Sequence, residues 1–233
     1  MVSIIICTMR PSFMGKIFDN YERQDLEKKQ LIIVLNRDDM NIKKWNKKAE
    51  KYKNVRIYQL PEEFNLGQCL NYGIEKADYD IIAKFDDDDY YAPSYLNEAV
   101  NTLNEKSASI IGKSTAYIYF ESKKALMIFR NGNEGKYRRH VKGGSLVFRK
   151  AVWNIVKFPE DIVAKSDAYF LRECSREGFK IYSVSKYNYV CVRREDTRSH
   201  TQKKSTEEYM AQCEFVCTTD DYRSIITKKF PRL

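Results

Sequence analysis

The sequence predicts an α/β fold in which a mostly parallel central sheet is flanked by helices and accompanied by a smaller β-rich region. Two observations support this prediction. Through residue 85, short apolar segments of strand length alternate with segments whose apolar residues recur at helical spacing. These strands are apolar along almost their whole length, which is typical of strands covered by helices on both faces.

Four strands are predicted in the first part of the chain, each bounded by polar or turn residues. They cover residues 2–7, 31–35, 55–60 and 80–85. Helical spacing of apolar residues marks the segments between them, around Trp45 and from Leu66 to Ile74. Ligands of such sheets bind at the carboxyl ends of the strands. We therefore expect the functional site in the loops at residues 8–12, 36–41, 61–65 and 86–93.

After residue 93 the pattern becomes less regular and indicates a β-rich second half. We predict a helix, three strands of antiparallel character, a strand running into a helix, a further helix and a pair of strands. In that order they cover residues 94–106, 109–112, 114–122, 124–131, 141–153, 166–178 and 180–195. Gly178 is predicted to end the last helix, because glycine readily adopts the left-handed backbone found there. The tail from about residue 196 is predicted to be polar and basic, then helical.

Composition places the chain among globular proteins, with 43% hydrophobic residues and no low-complexity tract. The formal net charge of +9 raises nucleic-acid binding as an alternative, because basic clusters neutralise phosphates. The densest basic cluster, at 41–55, argues against it. Ile42, Trp45, Ala49 and Tyr52 fall at helical spacing there, with the lysines on the remaining surface. We interpret this cluster as a solvated amphipathic helix.

The six cysteines are scattered, without the spacing of a zinc site or a disulfide framework. Reduced thiols in the cytoplasm are the expected state. The first seven residues lack a basic leader, and no stretch approaches the roughly 18 apolar residues that a membrane-spanning helix needs. We therefore expect a cytoplasmic protein that is neither secreted by a signal peptide nor membrane-spanning.

Four carboxylates follow the fourth predicted strand, in IIAKFDDDDYYAP at 81–93. If the strand continues, Asp86 and Asp88 face one side and Asp87 and Asp89 the other. Crowded carboxylates repel one another, and a hard divalent cation such as Mg or Mn relieves that repulsion when phosphates complete its shell. The spacing of a calcium-binding EF-hand loop is absent. The position therefore favours a site for a diphosphate and a metal over an exposed acidic turn.

Four stretches together resemble family 2 glycosyltransferases of the GT-A fold, over roughly residues 2–200. They are VSIIICTMRP, NLGQCLNYGIEKADYDIIAKFDDDDYYAP, VKGGSLVFRK and KSDAYFLRECSREGFKIY. The resemblance implies an inverting, hexosyltransferase-type enzyme that transfers a sugar from a nucleotide-diphospho-sugar to an acceptor hydroxyl. It also implies one domain over 1–233, with a nucleotide-binding half at 1–93, an acceptor-side half at 94–200 and a C-terminal tail and helix at 201–233.

The resemblance further implies which residues contact the donor and the metal. An N-x-G…N-x-G helix corresponds to Asn65, Gly67, Asn71 and Gly73, and the family's Asp-x-Asp motif to Asp86, Asp88 and Asp89. A divalent metal, Mn or Mg, would bridge Asp88 and the diphosphate. The implied donor contacts are Thr8, Arg10, Pro11, Asn36, Asp38, Asn65, Gly67, Asn71, Lys84, Asp86 and Asp87. For Lys84, which shares a strand face with Asp86, pairing with the carboxylates is favoured over contact with a phosphate.

Inversion requires a base on the face of the sugar opposite the leaving group, and the resemblance points to Asp167. A carboxylate placed to stabilise a helix start is the alternative, and Ser166 stands where the family usually has Glu. His200 resembles a metal-binding or phosphate-contacting position, with a solvent-exposed histidine as the alternative. Gly143 and Gly144 resemble a turn beside the donor sugar and the acceptor, where a bare backbone allows close approach.

Partners follow from the same resemblance. The expected donor is a UDP-sugar, although NRDDMN departs from the family's second-loop pattern and leaves Asn36, Asp38 or Asp39 as the residue that contacts the nucleobase. A glycan, a lipid-linked compound or another hydroxyl compound is the expected acceptor, and the short chain resembles bacterial enzymes of cell-surface or spore-surface glycan synthesis. A basic lid over the diphosphate, or else a solvated loop, is expected from Arg193, Arg194, Arg198, Lys203 and Lys204. Basic patches predict peripheral contact with the inner face of an anionic membrane, and no specific nucleic acid is expected.

Two other functions compete with that of a glycosyltransferase. A sugar nucleotidyltransferase needs a glycine-rich loop after the first strand, and only Gly15 is present there. A non-catalytic module that binds polysaccharide or nucleic acid would account for the basic charge and the 17 tyrosines. Such a module leaves the aspartate run and Asp167 unexplained, and it remains the alternative hypothesis.

Overall fold

The computed structural model describes residues 1–196 and 204–231 of the chain. Its strands are β1 (Val2–Thr8), β2 (Lys29–Leu35), β3 (Val55–Gln59), β4 (Ile81–Lys84), β5 (Tyr90–Tyr91), β6 (Ile110–Gly112), β7 (Ala116–Phe120), β8 (Ala125–Phe129), β9 (Lys136–Tyr137), β10 (Val147–Arg149), β11 (Ile181–Ser183), β12 (Tyr189–Arg193) and β13 (Cys213–Thr218). Its helices are α1 (Met14–Glu22), α2 (Ile42–Ala49), α3 (Leu66–Glu75), α4 (Tyr95–Glu105), α5 (Lys150–Ile155), α6 (Ser166–Arg176), α7 (Thr206–Met210) and α8 (Arg223–Ile226).

The strands form two sheets in the described part of the chain. The larger has eight strands in the order β3-β2-β1-β4-β10-β6-β11-β9, and the smaller has five in the order β13-β8-β7-β12-β5. In the larger sheet β3, β2, β1 and β4 run parallel, whereas β10 lies antiparallel between β4 and β6. The predicted central sheet of mostly parallel strands is confirmed for the strands before residue 85.

Helices cover both faces of the larger sheet, which explains why its central strands are mostly apolar. Ile4 and Ile6 of β1 belong to a core that includes Phe18 of α1 and Trp45 of α2. Ile5, which points to the opposite face, belongs to a second core that includes Leu70 of α3. Alternate residues of one strand therefore enter different cores, and both faces of the sheet are largely apolar.

The helices predicted around Trp45 and from Leu66 to Ile74 are present as α2 and α3. Trp45 of α2 is buried at 1% exposure while Lys43, Lys44 and Lys47 are exposed, as an amphipathic surface helix requires. Gly178 follows α6 with φ of +81°, the left-handed conformation that was predicted for it. No helix within residues 1–196 and 204–231 is long and apolar enough to cross a membrane.

Two predictions about the second half are wrong. The strands predicted as a pair at 180–195 do not pair with each other, because β11 joins the larger sheet beside β6 and β12 joins the smaller one beside β7. The tail also contains β13, which pairs antiparallel with β8 and was expected to be helix or coil. Both errors have one cause, since short strands are placed by partners that are distant in sequence.

A buried ion pair fixes the segment that supports the turn at Gly143 and Gly144. Lys113, which follows β6, is fully buried and donates from Nζ to Glu98 Oε2 of α4 at 3.1 Å. Its backbone N–H donates to Ser145 Oγ at 2.8 Å, and its carbonyl accepts from the Lys142 N–H at 2.9 Å. The glycine turn is therefore attached to the core through Lys113.

Lys113→Met should destabilise the protein by about 3–5 kcal/mol, because Glu98 would keep a buried charge without its cation. Urea unfolding measures the change. The double variant Glu98→Gln/Lys113→Met should recover most of the loss, since it removes both charges. Unchanged stability of the single variant would show that the remaining hydrogen bonds of Glu98 suffice.

Candidate active site

The four aspartates leave the sheet in a turn. Strand β4 ends at Lys84, and residues 87–89 form the turn that leads into β5. A Cβ atom placed on Gly144 would lie 2.6 Å from Asp86 Oδ2 and 2.7 Å from Asp89 Oδ2. Asp87 and Asp88 instead share Arg10. The predicted pairing of Asp86 with Asp88 and of Asp87 with Asp89 is therefore wrong, because strand alternation stops before the turn.

Asp87 connects the turn to the loop after β1. Thr8 Oγ1 donates to Asp87 Oδ2 at 2.5 Å, and the Arg10 guanidinium binds both carboxylate oxygens, with Nε at 3.0 Å from Oδ2. Burial raises the pKa of Asp87, and its bonds to Arg10 and Thr8 oppose the shift. Pro11 begins a 3₁₀ turn at Pro11–Phe13 that leads into α1. Thr8 and Arg10 thus contact the aspartate turn, and the predicted contacts of Thr8, Arg10 and Pro11 with a donor stay predictions.

Asp88 is held from two sides. Its Oδ2 atom lies 3.2 Å from Arg10 NH1 and 3.0 Å from Arg194 NH2. The backbone carbonyl of Asp88 accepts from Lys16 Nζ of α1. Arg194 therefore reaches the site from the end of β12, as a basic lid residue should, whereas Arg193 is buried and donates to the Lys204 carbonyl. Arg198, His200 and Lys203 lie outside the described residues, so their predicted roles stay predictions.

Asp89 joins the turn to the smaller sheet. It is 3% exposed and accepts hydrogen bonds from Tyr189 Oη at 2.5 Å and from the Val192 N–H at 2.9 Å. Burial, together with the charges of Asp88 and Asp86, raises the pKa of Asp89 to about 7. The ionisation of this carboxyl therefore changes near neutral pH.

Lys84 joins Asp86 to Asp167. Its buried Nζ lies 2.6 Å from Asp86 Oδ1 and 3.4 Å from Asp167 Oδ2. Burial by itself would lower the pKa of Lys84, but the charges of Asp167 and Asp86 raise it above its ordinary value. The favoured ion pairing of Lys84 is confirmed, and it brings together two carboxylates that are far apart in the sequence.

Asp167 lies in the first turn of α6, beside the glycine turn. Burial raises its pKa, and the Lys84 charge opposes the shift. The Oδ1 atom is buried without a hydrogen-bond partner among the described residues, and so is Ser166 Oγ. A buried acceptor of this kind normally has a partner in the folded protein or its ligand. Asp167 therefore combines a raised pKa with an unused acceptor, which is the state expected of a general base.

Close approach explains the two glycines. A Cβ atom on Gly143 would overlap the Asp167 carboxylate, and one on Gly144 would lie within 2.8 Å of Tyr189 Oη. Tyr91 Oη accepts from the Asp86 N–H at 2.7 Å and donates to the Gly144 carbonyl at 2.5 Å. The predicted turn of small residues thus lies against the aspartates, and any side chain there would displace them.

The residues of the predicted N-x-G helix require a correction. Asn71 accepts from Trp153 Nε1 and from the Phe158 N–H, and it donates to the Phe158 carbonyl and to Glu160 Oε1. These four bonds use its full hydrogen-bonding capacity and leave none for a ligand. The predicted donor contact of Asn71 is therefore replaced by a structural role, in which it holds α3 to the chain after α5.

Asn65 and Gly67 also have structural roles. Asn65 caps α3 by accepting from the Gln68 N–H, and its amide donates to the Glu160 carbonyl. A Cβ atom on Gly67 would overlap the Pro159 carbonyl, so this glycine is needed for backbone packing rather than for a ligand.

Asn36 and Asp38 both lie in the loop after β2, as expected, and their side chains contact the loop after β3. Asn36 Nδ2 donates to the Pro61 carbonyl at 2.7 Å, and Asp38 Oδ1 accepts from the Glu62 N–H at 3.3 Å. These bonds join the two loops. The prediction that Asn36 and Asp38 contact a nucleobase stays a prediction.

Several residues of the site were not predicted from the sequence. Tyr91 and Tyr189 bind the aspartate turn through their hydroxyls, and Asn20 Nδ2 of α1 donates to the Asp89 carbonyl at 2.9 Å. Lys142, next to the glycine turn, donates to Tyr209 Oη of α7 at 2.9 Å. Only Tyr91, two residues after Asp89, carried a local signal that could have identified it.

The carboxylates of the aspartate turn fit a hard divalent cation only in part. Among the described residues no three His, Cys, Asp or Glu side chains are grouped to hold a metal by themselves. Asp86 and Asp88 keep exposed fractions of 40% and 13%. Carboxylate oxygens are ligands that Mg²⁺ and Mn²⁺ prefer, and Mg²⁺ is usually bound by one or two carboxylates together with substrate phosphates. The residues therefore fit a cation whose shell a bound diphosphate completes.

Comparison with known proteins agrees with this architecture. Residues 3–159 match the family model Glycosyl transferase family 2. The structure is similar to S. aureus TarS in complex with UDP-GlcNAc, with a TM-score of 0.66 and 17% identity over 88% of this chain and 61% of that one. It is also similar to the mannosyltransferase PcManGT from Pyrobaculum calidifontis in complex with GDP-Man and Mn²⁺, with a TM-score of 0.63 and 16% identity over 85% and 58%. No curated protein sequence matches significantly.

These likenesses concern the fold. The chain spans about three fifths of the length of the two solved structures, and identities of 16% and 17% show common architecture rather than common substrate. The predicted GT-A fold is confirmed.

The raised pKa of Asp89 predicts a pH-dependent effect of Asp89→Asn on stability. Between the ordinary carboxyl pKa of about 4 and a folded-state pKa of about 7, the wild type loses stability as pH rises, because only the unfolded chain ionises. Asp89→Asn has no carboxyl group at this position, so its stability does not fall in this way as pH rises. Its stability relative to the wild type should therefore increase from pH 4 to pH 7 and then level off.

Urea unfolding at pH 5 and pH 8 tests this prediction. Asp220→Asn, which removes an exposed carboxylate paired with Lys124, is the control and should show little change at either pH. A stability difference between Asp89→Asn and wild type that stays constant across this range would contradict the raised pKa.

Proposed function

The chain belongs to glycosyl transferase family 2, and on this premise we propose that it transfers a sugar from a nucleotide-diphospho-sugar to an acceptor hydroxyl. One observation carries the proposal: an aspartate turn at the carboxyl end of β4 meets a further, partly buried carboxylate, Asp167, across a glycine turn. A donor bound between them would have its leaving group near Asp88 and its reacting carbon near Asp167. A purely binding module has no need of this arrangement.

The leaving diphosphate would be bound by cationic groups that already lie at Asp88. Arg10 and Arg194 both contact Asp88 Oδ2, and their guanidinium groups can form bidentate, charge-assisted bonds to phosphate oxygens. Asp88 would hold the Mn²⁺ or Mg²⁺ ion, which would neutralise charge on the departing diphosphate. The neighbour complexes with UDP-GlcNAc and with GDP-Man and Mn²⁺ support a nucleotide-sugar donor, and a UDP-sugar is our proposed one.

Asp167 is the proposed base of an inverting transfer. Its carboxylate accepts the proton of the acceptor hydroxyl while that oxygen forms a bond to the anomeric carbon. The bond from this carbon to the diphosphate breaks on the opposite face, so the configuration inverts. Lys84 holds Asp167 Oδ2, which leaves Oδ1 for the acceptor. Burial keeps the carboxylate more basic than usual.

The proposed cellular location is the cytoplasm. All six cysteines are free, which suits the reducing cytoplasm. Bacterial cell-surface or spore-surface glycan synthesis is the proposed context, and it rests on the resemblance of the short chain with its TMRP start.

Calorimetric titration of UDP, GDP, CDP and dTDP should identify one nucleoside diphosphate that binds in the presence of Mn²⁺. Binding should weaken at least tenfold, about 1.4 kcal/mol, with chelator or in Asp88→Asn, because the variant removes a charged ligand of the proposed cation. The control is Asp78→Asn, a carboxylate paired with Arg56 near the amino end of β4. Nucleotide binding that is unchanged in Asp88→Asn would reject the assignment of Asp88, and no binding of any nucleotide would favour the non-catalytic module.

Asp167→Asn should bind the nucleotide normally but lower the rate of donor hydrolysis by about 10²–10⁴-fold, because the base is lost while the donor contacts remain. In the wild type, activity should rise with pH through the pKa of Asp167. That transition should lie above the ordinary carboxyl value of about 4, since burial raises the pKa. A rate equal to that of the wild type, or a weakened nucleotide affinity with normal turnover, would contradict the assigned role.

A further inference from the structure

A second concave surface lies beside the proposed active site. A pocket of about 670 Å³ opens between β9, β11 and the end of α6, a size suited to a small ligand. The residues that line it include Arg130, Tyr137, Arg138, Arg139, Phe179 and Lys180. We call this the β9–β11 pocket. None of its residues belongs to the predicted donor or base positions.

The pocket is strongly basic and its cations lack carboxylate partners. Arg130, Arg138, Arg139 and Lys180 line it, and no Asp or Glu does. Within residues 1–196 and 204–231, none of these four forms an ion pair. Other exposed arginines do pair, as Arg56 does with Asp78. The pocket therefore has a positive electrostatic potential, which attracts anions.

The walls of the pocket add apolar surface to this charge. Tyr137 is 51% exposed and packs edge-on against Tyr182, with ring centroids 5.2 Å apart. Phe179 is half-buried on another side. Aromatic walls with a few charged groups are typical of pockets that bind an organic ligand rather than a bare ion. The combination suits a sugar that carries an anionic substituent.

Two routes along the chain place the pocket close to Asp167. Ser175, which lines the pocket, lies eight residues after Asp167 on α6, a rise of about 12 Å at 1.5 Å per residue. Arg139 lies four residues before Gly143, which a fully extended chain would separate by at most about 14 Å. The connecting segment is attached at both ends, through Arg138 to the Ile181 carbonyl and through Lys142 to the Lys113 carbonyl. The pocket therefore lies within reach of an acceptor whose hydroxyl is at Asp167, and both connecting segments hold it in place.

We propose that the β9–β11 pocket binds an anionic group of the acceptor, a phosphate or carboxylate on a glycan chain whose free hydroxyl lies at Asp167. This inference rests on the proposed glycosyltransferase function. Guanidinium groups form bidentate bonds to phosphate and carboxylate groups. Such bonds fix the position of the acceptor as well as increasing its affinity. The acceptor class is thus an acidic glycan, and the pocket sets which hydroxyl reaches the base.

The test compares charged and neutral oligosaccharides of one length. Tetragalacturonate and phosphorylated maltotetraose should bind the nucleotide-loaded full chain more tightly than maltotetraose does. Arg138→Gln/Arg139→Gln should weaken the two acidic ligands at least tenfold and leave nucleotide affinity unchanged. The matched control, Lys43→Gln/Lys47→Gln on the exposed face of α2, removes the same net charge and should change binding less than twofold.

Other outcomes would overturn the proposal. Equal loss in both double variants would mean that only net charge matters, and equal affinity for maltotetraose would mean that no anion is recognised. If duplex nucleic acid or vesicles with anionic lipid lose more affinity than the acidic oligosaccharides in the pocket variant, the pocket serves one of those partners instead. Nucleotide binding to the wild type is measured separately, so a failure of the proposed function is distinguished from a failure of the pocket.

Discussion

Mutual repulsion among carboxylates at the end of β4 is the constraint on which this structure depends. Four successive aspartates and Asp167 cannot share one edge of a sheet unless cations lie among them. Lys84 supplies a charge from within the sheet, Arg10 from the loop after β1, and Arg194 from the end of β12. Each comes from a different part of the chain, so the site forms only when both sheets are assembled.

Buried tyrosines make that assembly specific. Tyr91 stacks on Phe85 with ring centroids 3.6 Å apart while its hydroxyl joins Asp86 to Gly144. Tyr189 packs against Tyr91 and binds Asp89. The rings fill the core between the sheets, and the hydroxyls satisfy polar groups of the turn. Packing and polar contacts thus hold the carboxylates in one arrangement before any ligand arrives, and this preorganisation is what transfer chemistry requires.

The protein is basic although its proposed active site is acidic, because the positive charge lies mostly in other parts of the structure. Part of the positive excess lies on the solvated face of α2, and part lines the β9–β11 pocket without carboxylate partners. Helix α6 joins the two functional regions, with Asp167 in its first turn and Ser175 at the pocket. A donor-binding edge and an acceptor-binding pocket on one rigid helix would fix the distance between the anionic group of an acceptor and the hydroxyl that reacts.

The sequence by itself determined the parallel part of the sheet, the amphipathic helices and the position of the aspartate run, because periodicity and strand ends are local properties. It also indicated Asp167, Gly143 and Gly144 through a family resemblance. The tertiary structure alone decided which carboxylates face each other, since a turn replaces strand alternation after Lys84. It likewise assigned Asn71 to packing, separated β11 from β12 and placed β13. These outcomes depend on contacts between residues dozens of positions apart, and no local pattern encodes such partners.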